Sequence, residues 1–121
     1  MAQRILECIE ERHTNPRIRV TDVARQLRLS RNTVGRLLRA EGTSFRTRLR
    51  AVRVRHATNL MHSNLSFKEV ASACGYPQAS QLSRDFRREN HCSPSEYRRH
   101  FRQLILRAPF YSGGNSIPAD E

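Results

Sequence analysis

Residues 66–89 read SFKEVASACGYPQASQLSRDFRRE, and this stretch predicts two short helices on either side of a sharp turn. Ser66 followed by Glu69 has the spacing of a capping box, in which side chains and backbone N–H groups satisfy each other at a helix start. Gly75 ends the first helix, and the second helix covers about 78–89. The apolar residues fall at helical spacing and are expected to face a core: Val70, Ala71, Cys74, Leu82 and Phe86.

The same pattern occurs 47 or 48 residues earlier in the chain. Val23-Ala24 matches Val70-Ala71, and Val34-x-Arg36-x-Leu38 matches Leu82-x-Arg84-x-Phe86, with the one extra residue in the turn. The alanine in each first helix lets the second helix cross it closely. A short helix, a tight turn and a second helix with outward arginine form a helix-turn-helix unit. Two copies at this spacing make the prediction strong.

Apolar residues recur at helical spacing along the whole chain, and no segment alternates as a strand would. We therefore predict an all-α fold of seven helices, with two helix-turn-helix subdomains joined by a long linker helix. Ser93 and Glu96 form a second capping box, and Thr21, Ser30 and Ser44 precede helices as N-caps. The predicted helices cover about 2–13, 22–27, 31–40, 44–63, 66–74, 78–89 and 94–106, and 108–121 is predicted to be a flexible tail.

Charge indicates the kind of partner. The chain of 121 residues carries 22 Lys and Arg against 11 Asp and Glu, a net charge of +11. All the basic residues lie within 1–107 and none forms a terminal run, which favours a polyanion as ligand. The alternative is a well-solvated basic surface. Three scattered cysteines suit a reducing cytoplasm, and no apolar run is long enough to cross a membrane.

The linker helix has two apolar stripes rather than one, which predicts packing between two bodies. The predicted 20 residues would be about 30 Å long, close to the roughly 34 Å between successive major grooves on one face of DNA. Arg53 is a candidate for bracing the two halves. One stripe is predicted to contain Phe45, Leu49, Val52 and Leu60, and the other Val54, Ala57 and Met61.

With these motifs in place, residues 17–101 resemble the AraC/XylS family of bacterial transcription regulators. The most specific stretches are Val70-Ala71-x-x-Cys74-Gly75-Tyr76, residues 82–88 (LSRDFRR) and residues 93–98 (SPSEYR). The resemblance implies a DNA-binding domain over 1–107, with units at about 21–40 and 66–89. It also implies activation of transcription from sites near promoters. Many members carry an N-terminal effector or dimerisation domain, so the chain is expected to be either a fragment or a short stand-alone member.

Four positions depart from the family pattern. Gly35 stands where the family usually offers a longer polar side chain to the bases, and Arg48 replaces a usual aromatic residue. Pro77 and Gln78 replace the more common start of the second recognition helix. These departures bear on the preferred DNA sequence rather than on the fold.

The outward faces of the two second helices supply the candidate base contacts. Arginine pairs bidentately with guanine, Asn and Gln pair with adenine, and Ala meets the thymine methyl. Alternatives stay open: Arg36 could contact phosphate alone, Arg84 could pair with Asp85, and the second unit could contact only the backbone. The predicted base-contacting residues are Arg31, Asn32, Arg36, Ala79, Ser80, Gln81 and Arg84.

A second set is predicted to contact phosphates, because helix N-termini offer free N–H groups and arginines offer charge. Plain capping and plain solvation are the alternatives. The predicted phosphate-contacting residues are Thr21, Ser30, Arg39, Ser66, Ser83, Arg87, Arg88, Ser93, Ser95 and Arg98.

The histidines and cysteines show no metal-ligand spacing, and no catalytic arrangement or cofactor motif is found, so no enzyme, metal or cofactor is predicted. The leading hypothesis is a sequence-specific regulator of double-stranded promoter DNA in the cytoplasm, on the nucleoid when bound. One alternative is a non-specific nucleic-acid binder; the inward aromatics count against RNA. Another is an interaction module for an acidic partner such as RNA polymerase, which is compatible with the first.

Overall fold

The computed structural model describes residues 1–107, with side chains described as far as Phe101. This part of the chain contains seven α-helices and no strand, which confirms the predicted all-α class. The predicted tail, 108–121, lies outside what the structure describes. The helices are α1 (Ala2–Arg12), α2 (Val20–Leu27), α3 (Arg31–Ala40), α4 (Phe45–Leu60), α5 (Phe67–Ala73), α6 (Ala79–Asn90) and α7 (Pro94–Arg107).

Side-chain caps fix where several helices begin. Oγ of Ser30 accepts a hydrogen bond from the Thr33 N–H at 3.0 Å at the start of α3. At α5, the Glu69 N–H donates to Ser66 Oγ at 3.1 Å and the Ser66 N–H donates to the Glu69 carboxylate at 2.9 Å. Ser93 and Glu96 repeat this exchange at α7. The caps predicted at these serines are confirmed.

The cap predicted for α2 was wrong. The helix begins at Val20 with Arg19 as N-cap, so Thr21 lies inside the first turn. The Asp22 carboxylate accepts a hydrogen bond from the Arg19 N–H at 2.9 Å. An acid three residues after the cap thus satisfies a free N–H and lets the helix start earlier.

Two separate cores lie on either side of α4. The first joins α1, α2 and α3 to Val52, and the second joins α5 and α6 to Val54, Ala57 and Met61. The two-stripe prediction is confirmed, except that Leu60 packs against the second core rather than the first. The linker helix is therefore shared by both halves.

The linker helix is shorter than predicted. It has 16 residues and ends at Leu60 with Met61 as C-cap, which makes it about 24 Å long. Ser63, predicted inside it, instead donates from Oγ to the Leu60 carbonyl at 2.6 Å. Because serine competes for backbone groups in this way, it favours helix ends.

A joint connects the two halves where α1 meets the turn after α5. The Arg53 guanidinium donates from Nε to the His13 carbonyl at 2.9 Å and from Nη2 to the Asn15 carbonyl at 2.8 Å. The same guanidinium lies 5.5 Å from the ring centre of Tyr76. Gly75 approaches so closely that a Cβ there would lie 2.5 Å from the His13 carbonyl oxygen. The bracing role predicted for Arg53 is confirmed.

A second link joins the linker helix to α6, where Arg50 Nε donates to the Glu89 carboxylate at 2.8 Å and forms an ion pair. Both side chains are mostly shielded from solvent, with exposed fractions of 18% and 28%. Partial burial strengthens such a pair relative to one fully in water. The second half is therefore anchored to the linker at two points.

Candidate nucleic-acid interface

The face of α3 opposite the first core is open to solvent. Val34 and Leu38 are fully buried, while Arg31, Asn32 and Arg36 are exposed. Asn32 and Arg36 are one helical turn apart and project together, as predicted. None of these three side chains forms an ion pair with another side chain that the structure describes. Their donors are free for a ligand.

The predicted set on α6 is less uniformly exposed. Ser80 and Arg84 are exposed, but Ala79 is half-buried and packs against the second core. Gln81 is half-buried too, and its Oε1 is buried without a hydrogen-bond partner among the described residues. Arg84 is thus more accessible to a ligand than Gln81.

Asp85 does not restrain Arg84. The Tyr76 hydroxyl donates to the Asp85 carboxylate at 2.8 Å. Burial raises the pKa of Tyr76, and so does its hydrogen bond to Asp85. Burial also lowers the pKa of Arg53 beside it. The acid therefore belongs to a network around the joint, and the Arg84–Asp85 pair considered above is not formed.

A cleft of about 680 Å³ lies between the two units. Arg31 of α3 and Arg84 of α6 both line it, so both helices contribute to one side of the molecule. Arg19 and Arg46 also line the cleft, and so does Arg53, which lies at the joint. Against these five arginines the lining contains one acid, the Asp85 already bound by Tyr76. Such an excess of positive charge in a concave surface attracts a polyanion.

Arg19 and Arg46 were missing from the predicted site. Arg19 is the N-cap of α2, and Arg46 follows the Ser44 cap of α4. Neither lies on α3 or α6, and only the packing of the halves brings them to the cleft. An exposed arginine in the first turn of a helix was the available signal, although arginines are too frequent in this chain for it to select these two.

Four predicted phosphate contacts meet at a smaller groove of about 310 Å³, namely Ser83, Ser93, Ser95 and Arg98. Ser93 is occupied as a cap, and Ser95 is exposed. Arg98 is half-buried, and part of its guanidinium turns inward, while its contact with phosphate stays a prediction. The guanidinium donates to the carbonyls of Met61 at 3.3 Å and Leu65 at 3.0 Å. Arg98 thereby ties α7 to the segment between the linker helix and α5.

The other predicted phosphate contacts occupy varied positions. Ser30 and Ser66 are exposed and act as caps. Arg39, Arg87 and Arg88 are exposed. Thr21 is half-buried and lines the cleft.

Cys74 has the surroundings of a core residue. Cys74 is fully buried in the second core, and burial raises the pKa of its thiol to about 11. Over the described residues, no cluster of three or more His, Cys, Asp or Glu side chains is placed to hold a metal ion. In that same part of the chain, no helix combines the length and apolar character needed to cross a membrane.

Comparison with known proteins gives the arrangement a context. A family model described as a helix-turn-helix domain matches residues 23–100. The HTH-type transcriptional regulator YijO of Escherichia coli K12 is 34% identical over 107 residues, which are 87% of this chain and 38% of that protein. The transcriptional activator NphR of a Rhodococcus species is 33% identical over 97 residues, 79% of this chain and 29% of that protein.

The fold also matches solved structures. The DNA-binding domain of the global transcriptional factor AdpA, solved in complex with a target DNA, superposes with a TM-score of 0.78. It is 28% identical, and the match covers 91% of this chain and 97% of that domain. By contrast, the chain spans less than two fifths of the length of the curated relatives above.

Proposed function

Because this chain belongs to the AraC-type helix-turn-helix family of DNA-binding transcriptional regulators, we propose that it recognises an asymmetric promoter site through both of its units. In this proposal α3 and α6 are the recognition helices and enter adjacent major grooves. Their exposed side chains differ, so the two halves of the site differ as well. One chain then covers a site for which most helix-turn-helix proteins use two.

The observation that carries the proposal is the shared cleft. Arg31 at the start of α3 and Arg84 on α6 line one cavity, and Arg19 and Arg46 add charge between them. A DNA duplex lying across this side would meet both helices and a belt of guanidinium groups. The groups between the helices suit the phosphate backbone, and those on the helices suit base edges.

Rigid coupling of the halves supports two-groove binding. The joint at Arg53 and Gly75 and the Arg50–Glu89 pair hold the second unit against the first. The linker helix of about 24 Å is shorter than the groove spacing of about 34 Å. The offsets of α3 and α6 from its two ends have to supply the remainder.

The test is selection of bound duplexes from a random DNA pool at about 0.15 M salt, with the 121-residue chain alone. We expect an asymmetric motif with two information-rich blocks centred about 10 base pairs apart. One block alone would refute base reading by both units. Retained binding without any enriched motif would instead favour a charge-driven, non-specific binder.

A mutant series separates base contacts from phosphate contacts. Arg36→Ala and Arg84→Ala should each relax preference at one block, at a cost of about 1–3 kcal/mol per lost bidentate contact. Gln81→Ala and Asn32→Ala are the corresponding tests for adenine contacts, while Ser80 and Ala79 complete the α6 set. Arg87→Ala is the control, since a phosphate contact should weaken binding to all sequences about equally. If all variants lose affinity uniformly, the base assignments are wrong.

We further propose that the regulator activates transcription by contacting RNA polymerase, and that it works together with an effector or dimerisation domain. The names of two relatives, the activator NphR and a urease operon transcriptional activator of E. coli, support activation. Transcription in vitro from the selected site is the test. More transcript on adding the chain agrees with activation, and less transcript would indicate repression.

A further inference from the structure

Gly35 stands in the middle of α3, where glycine is the least favourable residue apart from proline. Neither backbone strain nor crowding accounts for it. A Cβ at this position would meet no atom closer than 3.5 Å, which is ordinary contact. The missing side chain therefore leaves a gap on the recognition helix that the fold itself does not require.

The guanidinium of Arg39 lies over this gap. Side chains on a helix lean toward its N-terminus, so a residue covers the turn before its own. Here Nη1 of Arg39 is the atom found 3.5 Å from where the Gly35 Cβ would be. Together with Asn32, Arg36 and Arg46, these two residues line a groove of about 430 Å³, which we call the Gly35 notch.

We propose that Arg39 is a base-reading residue, which reaches a guanine through the Gly35 notch in place of a side chain at position 35. The proposal rests on α3 acting as a recognition helix, as put forward above. Arg39 lies seven residues after Asn32, so the two fall on nearly the same line of the helix. Its planar fork matches the O6 and N7 acceptors of guanine.

Charge is consistent with this role. Arg39 is exposed, and within the described part of the chain no carboxylate forms an ion pair with it. Its neighbours around the notch are cationic or neutral: Arg36, Arg46 and Asn32. An unpaired guanidinium among like charges gains most when an electron-rich partner arrives.

The first test repeats the random-pool selection with Arg39→Lys. Lysine keeps the charge and loses the bidentate fork. We expect preference for guanine at one base pair of the first block to fall roughly 5- to 150-fold, the usual range for one bidentate contact, while overall affinity changes little. Arg99→Lys, an exposed arginine on α7, is the control and should leave the motif unchanged.

Gly35→Met provides the second test without touching the arginine. An alanine methyl group would lie 3.5 Å from Nη1 of Arg39 in ordinary contact, whereas the longer, uncharged methionine side chain fills the notch and favours the helix over glycine. We expect the same base pair to lose preference while Tm rises by a few degrees. The rise in Tm shows that the fold is intact.

The outcomes separate this inference from the wider function. A wild-type motif that persists unchanged in Arg39→Lys overturns the inference and leaves the proposed function standing. Uniform weakening on all sequences in Arg39→Ala, with the motif kept, assigns Arg39 to phosphate and also overturns it. If the wild-type chain itself enriches no motif, sequence-specific readout fails, and this inference fails with it.

Discussion

The close approach of Gly75 to the first half makes Gly75→Ala an informative perturbation. Gly75 has φ of +88°, a conformation that L-residues rarely adopt, and its added Cβ would lie 2.5 Å from the His13 carbonyl oxygen. That oxygen also accepts the hydrogen bond of Arg53 at 2.9 Å. The clash therefore involves backbone that is already held in place, and the surrounding structure has to move.

The expected loss in the free energy of unfolding has two parts. The left-handed backbone conformation costs a non-glycine residue about 1–2 kcal/mol, and forcing a group into filled space costs about 1–3 kcal/mol. We therefore expect Gly75→Ala to lower the free energy of unfolding by about 2–5 kcal/mol. Domains of this kind have about 5–15 kcal/mol in total, so the variant should fold at low temperature.

Gly42→Ala is the matched control. Gly42 has φ of +77°, and a Cβ there would meet nothing within 4 Å. It should lose about 1–2 kcal/mol, the conformational part alone. Urea unfolding at 25 °C, followed by helical circular dichroism, gives both values. If the two variants differ by less than about 0.5 kcal/mol, the close contact contributes nothing and our account of the joint is wrong.

Three further perturbations test other contacts. Arg53→Met removes two hydrogen bonds to backbone carbonyls of His13 and Asn15, and should cost about 2–4 kcal/mol in urea unfolding. Ser66→Ala removes the N-cap of α5 and should cost about 1 kcal/mol. Burial, and then the neighbouring charge of His13, lower the pKa of His56 below its ordinary 6.5. The unfolded chain therefore binds that proton more readily, and stability should be full above about pH 6.5 and fall as the pH drops below it. His56→Gln should flatten this part of the pH profile.

Each of these variants has a control at an exposed residue of the same kind. Arg99→Met, Ser72→Ala and His100→Gln alter exposed residues of the same kinds and should change the free energy of unfolding by less than about 0.5 kcal/mol. If Arg53→Met is as stable as Arg99→Met, Arg53 does not brace the two halves. If Ser66→Ala loses no stability, the capping box does not stabilise α5. If His56→Gln leaves the pH profile of stability unchanged, the prediction for His56 is wrong.

Local chemistry made much of the fold predictable. The serine caps, the two apolar stripes of the linker helix and the paired units depend on residues a few positions apart, which the sequence displays directly. The errors occurred where a distant or alternative partner decides. Asp22 reaches back to start α2 early, and the hydroxyl of Ser63 helps end α4. The side on which Leu60 packs depends on how the second core is built.

The candidate site was only partly predictable for a related reason. Helix position indicates which side of α3 or α6 faces outward, but not what another element places beside it. Arg98 was predicted to contact phosphate because arginine offers charge, and the sequence did not show that its guanidinium also donates to the carbonyls of Met61 and Leu65. Arg19 and Arg46 become part of the cleft only once the two halves are packed together.

The joint at Gly75 has a consequence for how such a regulator diverges. In the proposed binding mode, the joint sets the distance between α3 and α6, whereas the preferred bases depend on exposed side chains that support neither core. Substitutions of those side chains can therefore change the preferred sequence of each half-site while the spacing between the half-sites stays the same. A substitution at the joint would do the opposite, because it would change the spacing while the two half-site sequences stay the same. The sequence preference of such a regulator and the spacing of its half-sites can therefore evolve at different rates.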